Sequence, residues 1–197
     1  MRVAAIDIGT NTVLLLVAEQ GHGGALVAVE ERATITRLGE GVDRTRALLP
    51  AAVARTNACL TEYAGVIAKA GATKIAVVGT SAMRDAAGGE AIRDHVARVL
   101  GVPARVISGD EEARLTFAGA VSGLALGAEG GAPIAVFDIG GGSTEVVAGT
   151  LDASGAPGAI DYAESFDVGS VRLTERHVRS DPPAASLPAA PPRHVAR

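Results

Sequence analysis

A short pattern that occurs twice is the strongest constraint on how this chain can fold. Residues 7–12 read DIGTNT and residues 138–143 read DIGGGS, and each segment lies between two apolar runs. A glycine-containing turn between two apolar runs predicts a β-hairpin. Because the hairpin recurs together with its flanking runs, we infer an internal repeat of two units. We call residues 7–12 the first turn and residues 138–143 the second turn.

The first unit is predicted to begin with three strands and then to alternate helix and strand. The apolar spacing gives the order β-β-β-α-β-α-β-α, which is typical of an α/β domain. Pro50 suits the start of a helix, and Gly71 and Gly101 suit helix ends. The predicted segments are a hairpin over residues 2–20, a strand over 25–38, a helix over 50–70, a strand over 74–80, a helix over 81–100, a strand over 104–109 and a helix that begins at 108.

The second unit is predicted to repeat only the three strands of the first. These strands are expected over residues 134–138, 144–150 and 160–173. The residues that follow are too few to complete a unit of the first one's size, so we expect a truncated second unit. The predicted organisation is a first unit over residues 1–124, a linker over 125–132, an incomplete second unit over 133–180 and a disordered Pro/Ala-rich tail over 181–197.

The composition favours a buried sheet covered by helices and excludes several classes of protein. Hydrophobic residues make up 48% of the chain but aromatic residues only 3%, so the core must consist of aliphatic side chains. The formal net charge of -4 gives no general attraction to polyanions. We therefore expect no nucleic-acid polymer as partner, and a phosphate-rich ligand would need local groups or a metal ion. Cys59 is the only cysteine, which fits the reducing cytoplasm, and the apolar runs are too short to span a membrane.

Three common motifs of nucleotide-binding proteins and hydrolases are absent from the sequence. The only lysines, Lys69 and Lys74, do not occur in a GK[ST] context, so there is no P-loop. Glu145 stands where a dinucleotide fingerprint that starts at Gly140 needs its third glycine. The sequence also lacks the GxSxG pattern of a nucleophile elbow.

The two turns are themselves candidate phosphate-binding elements. A glycine-rich turn exposes backbone N–H groups at the end of a sheet, and such concave sites bind phosphate oxygens. Asp7 and Asp138 lie where the first strand of each hairpin enters its turn, and their carboxylates suit Mg²⁺. Either turn alone is also explained as a tight hairpin. The duplication favours two turns that face each other and hold a phosphate chain from both sides.

Two charged segments that follow predicted strands add candidate catalytic residues. Glu111 and Glu112 begin a helix, where carboxylates are commonly explained by capping and by the helix dipole. Ser108 and Glu111 have capping-box spacing, which leaves Glu112 as a candidate general base for an attacking water. Arg84 is either a surface arginine that pairs with a neighbouring aspartate or a group that neutralises charge on a phosphoryl group.

Six segments in this order resemble the exopolyphosphatase and guanosine pentaphosphate phosphohydrolase (Ppx/GppA) family. They are AAIDIGTNTVLLLV, RLGEGV, VVGTSAMRDA, ISGDEEARLTFAGA, DIGGGSTEVV and DVGSVRLTE. The resemblance implies an α/β, actin-like (ribonuclease H-like) ATPase-type fold, with one complete lobe, the first strands of a second lobe and a cleft between them. It also implies Mg²⁺-dependent hydrolysis of terminal phosphoanhydride bonds in inorganic polyphosphate or guanosine pentaphosphate (pppGpp), and it suggests a homodimer.

The resemblance also assigns roles to individual residues of this chain. The family's catalytic base falls on Glu112, its other essential glutamate on Glu145 and its conserved arginine on Arg84. Its strand-end aspartate falls on Asp138, and together with Asp7 and Glu145 this residue forms the predicted Mg²⁺ site. The predicted phosphate-binding residues are Thr10, Asn11, Thr12, Gly140, Gly141, Gly142, Ser143 and Thr144.

Two other functions stay open beside hydrolysis. A non-catalytic sensor would bind (p)ppGpp or polyphosphate without turnover, although the presence of Glu112 and Glu145 favours an enzyme. An actin-like ATPase or sugar kinase would share the hairpin turns, although the segment SGDEEA favours hydrolysis. The sequence therefore favours a cytoplasmic phosphohydrolase that acts on polyphosphate or pppGpp.

Overall fold

The computed structural model describes residues 1–21, 26–122, 133–152, 156–178 and 180, which form two β-sheets and six helices. The predicted linker over 125–132 and the predicted tail over 181–197 lie outside the described residues. In chain order the elements are β1 (Arg2–Ile8), β2 (Thr12–Gln20), β3 (Leu26–Ile35), α1 (Val42–Thr45), α2 (Pro50–Ala70), β4 (Lys74–Gly79), α3 (Ser81–Asp85), α4 (Glu90–Leu100), β5 (Ala104–Val106), α5 (Gly109–Ser122), β6 (Pro133–Ile139), β7 (Thr144–Leu151), β8 (Pro157–Phe166) and α6 (Ser170–His177). None of the helices in these ranges is both long enough and apolar enough to cross a membrane.

The two sheets share the same three-stranded arrangement. In the first sheet the order is β3-β2-β1-β4-β5, where β1 and β2 are antiparallel and β4 runs parallel to β1 and β5. In the second sheet the order is β6-β7-β8, and both pairs are antiparallel. Asp7 lies opposite Leu14 in the first hairpin and Asp138 lies opposite Glu145 in the second, in each case one residue before the strand ends. The internal repeat predicted from the two turns is thereby confirmed.

Helix α2 covers the first sheet and has the predicted bounds. Pro50 is its first residue, and Gly71 ends it in the left-handed region at a φ of 70°, where glycine has no Cβ to clash. Tyr63 belongs to this helix and is completely buried, and its hydroxyl donates a hydrogen bond to the carbonyl of Val13 at 3.1 Å. A buried hydroxyl that is satisfied in this way ties α2 to β2. The buried residues of α2 are Ala52, Thr56, Cys59, Leu60, Tyr63 and Ile67.

Helix α5 packs on the second sheet and forms a separate core with it. Gly149 allows Phe117 to approach β7, because a Cβ at position 149 would lie 3.1 Å from the Phe117 ring carbon Cζ. Helix α5 therefore follows the last strand of the first sheet in the chain but packs against the second sheet. The predicted division at residue 124 assigns α5 to the first unit, and that division stays a prediction. The buried residues of this core are Ala113, Phe117, Val121, Val147 and Leu151.

The prediction of one continuous helix over residues 81–100 is wrong. The chain forms α3 and α4, with a break between Asp85 and Glu90. Gly88 within the break has a φ of 96°, which no helix contains and which side chains other than glycine rarely adopt. The break leaves Ser81 and Arg84 on a short helix directly after β4, beside the first turn.

The prediction of a strand over residues 160–173 is wrong in its second half. Strand β8 ends at Phe166, and Leu173 lies in α6. The N–H groups of Ser170 and Val171 donate to carbonyls of the second turn. These bonds satisfy backbone donors that the start of a helix otherwise leaves unpaired. Packing against the second turn therefore overrides the alternating apolar pattern of this segment.

We expect the replacement Phe117→Ala to lower the free energy of unfolding by about 3–5 kcal/mol, because it leaves a cavity in the small core between α5 and the second sheet. Leu115→Ala is the matched control, since Leu115 lies on the same helix with 50% of its surface exposed and should cost less than about 1 kcal/mol. Urea unfolding of both variants measures the difference. Equal losses would show that this core adds nothing to stability.

Candidate active site

The two turns meet and line a common cleft with a volume of about 270 Å³. Every predicted site residue lines this cleft except Arg84 and Thr144. Arg84 contacts the cleft residue Glu112, and the hydroxyl of Thr144 donates to the carbonyl of Val168. The structure therefore brings residues from two distant segments of the sequence into one site.

The first turn is held from behind by the segment that follows β3. The carbonyl of Thr10 accepts a hydrogen bond from Gly39 N–H at 2.7 Å, and the carbonyl of Asn11 accepts from Thr36 and Arg37 N–H at 3.0 and 2.9 Å. The C=O and N–H of a trans peptide point in opposite directions. The N–H of Asn11, which shares a peptide with the Thr10 carbonyl, therefore points away from this segment.

The second turn is held in the same way by helix α6. The N–H groups of Ser170 and Val171 donate to the carbonyls of the first two glycines, both at 2.9 Å. Arg172 Nε donates to the carbonyl of Gly142 at 2.8 Å. The peptide N–H groups of residues 141–143 therefore point away from α6. A row of such donors beside a cleft suits phosphate oxygens.

Direct contact between the two turns requires glycine at position 142. A Cβ there would lie 2.2 Å from Ser81 Oγ and 2.6 Å from Thr10 Oγ1. The two hydroxyl groups are buried and bonded to each other at 2.7 Å, so moving either aside would break that bond. The glycine therefore lets the second turn pack directly on the first turn.

Asp7 is a carboxylate that the described residues leave uncompensated. Its Oδ1 is buried and accepts no hydrogen bond within the described ranges. Burial, followed by the charges of Asp138 and Glu145, raises the pKa of Asp7 to about 6. The site therefore favours a proton or a cation beside Asp7.

Asp138 and Glu145 are oriented by hydroxyl groups without being neutralised. Thr116 on α5 donates to Asp138 Oδ2 at 3.1 Å, and Ser165 on β8 donates to Glu145 Oε1 at 2.7 Å. Glu145 is only 1% exposed, and a neutral donor compensates a buried charge only in part. The hydroxyl groups thus orient both carboxylates and supply no positive charge.

Glu112 lies at the cleft in an ion pair with Arg84. Arg84 Nη1 donates to Glu112 Oε2 at 3.0 Å and to the carbonyl of Ile107 at 3.1 Å. Burial raises the pKa of Glu112 to about 7; the hydrogen bond from Arg84 opposes this rise, and the charge of Glu145 adds to it. A carboxylate with this pKa can accept a proton from water near neutral pH.

The two adjacent glutamates of α5 have different surroundings. The N–H of Glu111 donates to Ser108 Oγ at 3.2 Å, and its carboxylate pairs with Arg105 at 2.6 Å. Glu111 is therefore explained by the helix start, as the capping-box spacing predicts. Glu112 has no such role and lines the cleft.

The acidic residues of the cleft are candidate ligands for a divalent cation. Within the described ranges, no three His, Cys, Asp or Glu side chains lie close enough together to form a ready-made metal site. The buried Oδ1 of Asp7 nevertheless lacks a donor, and it lies near the charges of Asp138 and Glu145. Carboxylate oxygens are the ligands that Mg²⁺ prefers. The chemistry of these residues therefore fits a hard divalent cation.

Sequence reasoning missed several residues that support the site. Thr116 and Ser165 orient carboxylates, Ser81 bonds Thr10, and Arg172 bonds the second turn. Hydroxyl side chains carry no pattern of their own, so their roles depend on contacts that only the fold creates. Arg172 lies in the segment DVGSVRLTE. This segment contributed to the family resemblance, but the resemblance gave no role for Arg172.

The sequence of this chain is similar to those of known proteins. A model of the Ppx/GppA phosphatase family matches residues 16–190. The chain is 44% identical to Exopolyphosphatase 2 of Mycobacterium tuberculosis over 190 residues. The aligned segment covers 92% of this chain and 56% of that protein. The chain spans about half the length of the curated exopolyphosphatases it matches.

Solved structures of similar proteins have the same fold. A crystal structure of an exopolyphosphatase-like protein has a TM-score of 0.83 at 41% identity, over 93% of this chain and 56% of that one. A Ppx/GppA protein of Aquifex aeolicus has a TM-score of 0.71 at 34% identity, over 93% of this chain and 56% of that one. The actin-like α/β fold predicted from the resemblance is thereby confirmed.

We expect Asp7→Asn to stabilise the chain by about 2–3 kcal/mol at neutral to slightly alkaline pH in the absence of divalent cations. The folded state binds the Asp7 proton more tightly than the unfolded state, so ionisation above pH 6 costs stability, and the variant avoids this cost. The gain should shrink as the pH falls through 6 toward 3.8, the ordinary pKa of an aspartate. Urea unfolding across this range measures it, with Asp94→Asn on the exposed side of α4 as the control. A variant no more stable than the parent at the alkaline end would contradict the burial argument.

Proposed function

The chain belongs to the Ppx/GppA phosphatase family, and we propose that it is a phosphohydrolase that cleaves the terminal phosphoanhydride bond of inorganic polyphosphate and releases phosphate. The observation that carries this proposal is the position of Glu112 in a cleft that both turns line. One cleft thus combines donors for phosphate oxygens with a base for water. Phosphoanhydride hydrolysis requires both.

Glu112 is the proposed general base of this reaction. Its ionised carboxylate accepts a proton from the attacking water, and the new P–O bond forms as the bond to the leaving phosphate breaks. Arg84 holds Glu112 in place through its Nη1. The N–H groups of the second turn bind phosphoryl oxygens on which negative charge is concentrated.

Mg²⁺ is proposed as the cofactor, held by Asp7, Asp138 and Glu145. When bound, it would neutralise negative charge on the phosphate oxygens. Its support is the unpartnered Oδ1 of Asp7 and the excess of carboxylates around the cleft. An anionic substrate would otherwise be repelled by these carboxylates, so we expect binding to depend on a divalent cation.

Polyphosphate is favoured over pppGpp as the substrate by the lining of the cleft. Among the described residues that line it, none is aromatic, so no ring there is available to stack on guanine. The mycobacterial relatives carry the name exopolyphosphatase. Hydrolysis of pppGpp is the second candidate, since the family includes phosphatases of both kinds by its name.

A cytoplasmic location and a homodimer complete the proposal. The net charge of -4 supports a ligand that is bound by a local site and not by a general basic surface.

A sensor without turnover is the alternative in which Glu112 has no chemical role. The variant described next separates the sensor from the enzyme.

We expect Glu112→Gln to reduce phosphate release from polyphosphate at least about 100-fold, because the amide cannot accept the proton of water. The melting temperature should not fall, since the change removes a buried charge. Phosphate release by the purified chain with Mg²⁺ is measured on polyphosphate, pppGpp and ATP. Glu111→Gln is the matched control, because Glu111 is the adjacent residue and pairs with Arg105 outside the cleft. A Glu112 variant as active as this control would remove Glu112 from the mechanism.

We expect the rate to rise with pH as Glu112 ionises, and Arg84→Met to shift this rise to higher pH. Arg84 lowers the pKa of Glu112, so its loss lets burial and the charge of Glu145 raise that pKa further. Rates of phosphate release across neutral pH measure the midpoint in both proteins. An unchanged midpoint would show that Arg84 does not tune the base.

A further inference from the structure

Arg172 on helix α6 is a buried arginine without an assigned role. Its side chain is 7% exposed. Its guanidinium donates to the Gly142 carbonyl at 2.8 Å, to Asp43 Oδ1 at 3.2 Å and to Asp85 Oδ2 at 2.9 Å. A buried arginine is rare unless it is paired, and these partners come from both sides of the contact between the sheets. Asp43 lies on α1 and Asp85 on α3, whereas Gly142 belongs to the second turn.

We propose that Arg172 is a positioning residue for the hydrolysis proposed above, on which this inference rests: it fixes the direction of the Ser143 N–H in the second turn and keeps Arg84 against Glu112. It acts through the Gly142 carbonyl on one side and through Asp85 on the other. No contact with the substrate is required for this role.

The first effect follows from the planar peptide between Gly142 and Ser143. A trans peptide holds its C=O and N–H in opposite directions. The bond from Arg172 to the Gly142 carbonyl therefore also sets the direction of the Ser143 N–H, and Ser143 lines the cleft. Three consecutive glycines have unusual backbone freedom, so without this bond the peptide is free to rotate.

The second effect follows from a chain of alternating charges. Glu112 contacts Arg84 at 3.0 Å, Arg84 approaches Asp85 at 3.6 Å, and Asp85 contacts Arg172 at 2.9 Å. Asp85 is thus closer to Arg172 than to Arg84. Without Arg172 the charge of Asp85 would be left to Arg84 alone, and the attraction would draw Arg84 away from Glu112.

Arg176 supplies a control for a purely structural role. It lies one turn further along α6 and pairs with the same Asp43, at 2.6 Å through both Nε and Nη2. Its side chain is 45% exposed. Its bonds within the described residues reach neither Gly142 nor Asp85. Both arginines therefore help α6 to dock, but only Arg172 reaches the turn and Asp85.

The test compares Arg172→Met, Arg172→Lys and Arg176→Met in the full chain, with polyphosphate as substrate. We expect Arg172→Met to lower kcat/KM about 100-fold, mostly through kcat, because the base and the turn lose their alignment. Arg172→Lys should remain well below the parent, since one ammonium group cannot replace a fork that reaches three partners. Arg176→Met should stay within about threefold, as expected for an exposed ion pair.

Two results would overturn the proposal. One is an equal loss of kcat/KM in Arg172→Met and Arg176→Met, in proportion to the fall in melting temperature of each variant. That result would show that both arginines act only by docking α6. The other is full activity of Arg172→Lys. If Arg172→Met does not fold, the lysine variant, which keeps the charge, decides the outcome.

A second measurement separates this proposal from the proposed function. Backbone ¹⁵N relaxation of residues 141–143 is recorded without substrate in the parent, Arg172→Lys and Arg176→Met. We expect the order parameter of the Ser143 N–H to be about 0.85 in the parent and in Arg176→Met, and below about 0.6 in Arg172→Lys. Residues 141 and 142 are the internal control, because backbone N–H groups of α6 hold the Gly140 and Gly141 carbonyls in all three proteins. A rigid Ser143 N–H in the lysine variant would refute the positioning role even if the parent hydrolyses polyphosphate. A parent chain that releases no phosphate would refute the proposed activity, while the relaxation data would still decide the role of Arg172.

Discussion

The site depends on hydrogen bonds that hold the carbonyl groups of both turns from behind. In the first turn these bonds come from the N–H groups of residues 36, 37 and 39, and in the second they come from the start of α6. Because each peptide is planar, a carbonyl fixed on one side presents the next N–H on the other. Packing on one side of each turn thus orients the N–H groups on its other side.

The same cleft concentrates negative charge that the protein does not neutralise. Asp7, Asp138, Glu145 and Glu112 all line it, whereas Arg84 contacts only Glu112 among them. Hydroxyl groups from Thr116 and Ser165 fix the direction of two carboxylates but add no positive charge. A phosphate-rich ligand would be repelled by this lining unless it brought positive charge with it. The proposal of a divalent cation follows from this repulsion.

The sequence predicted the features that depend on local pattern. The repeated hairpins and the bounds of α2 follow from apolar spacing, from Pro50 and from Gly71, and all are confirmed. The break after Asp85 was missed because two glycines cost a helix only about 2 kcal/mol, a weak signal against strong apolar spacing. Helix α6 was missed because its first N–H groups are satisfied by Gly140 and Gly141, which lie 30 residues earlier in the chain. The clustering of the acids was expected from the strand ends, but their hydroxyl partners come from α5 and β8, whose packing no local pattern reveals.

The two turns are not equivalent, and the difference explains where side-chain support is placed. The first turn contains Thr10, whose hydroxyl bonds to Ser81, so its own side chain helps to fix it. The second turn is built from three glycines, because a Cβ at position 142 would collide with that same pair of hydroxyls. Because the two turns approach each other so closely, the second turn has glycines in place of residues whose side chains could hold it. Its support must come from outside: the N–H groups of Ser170 and Val171 hold the carbonyls of the first two glycines, and the guanidinium of Arg172 holds the carbonyl of Gly142. The duplication placed two similar turns opposite each other, and the contact between them required one of the turns to be supported by the helix behind it.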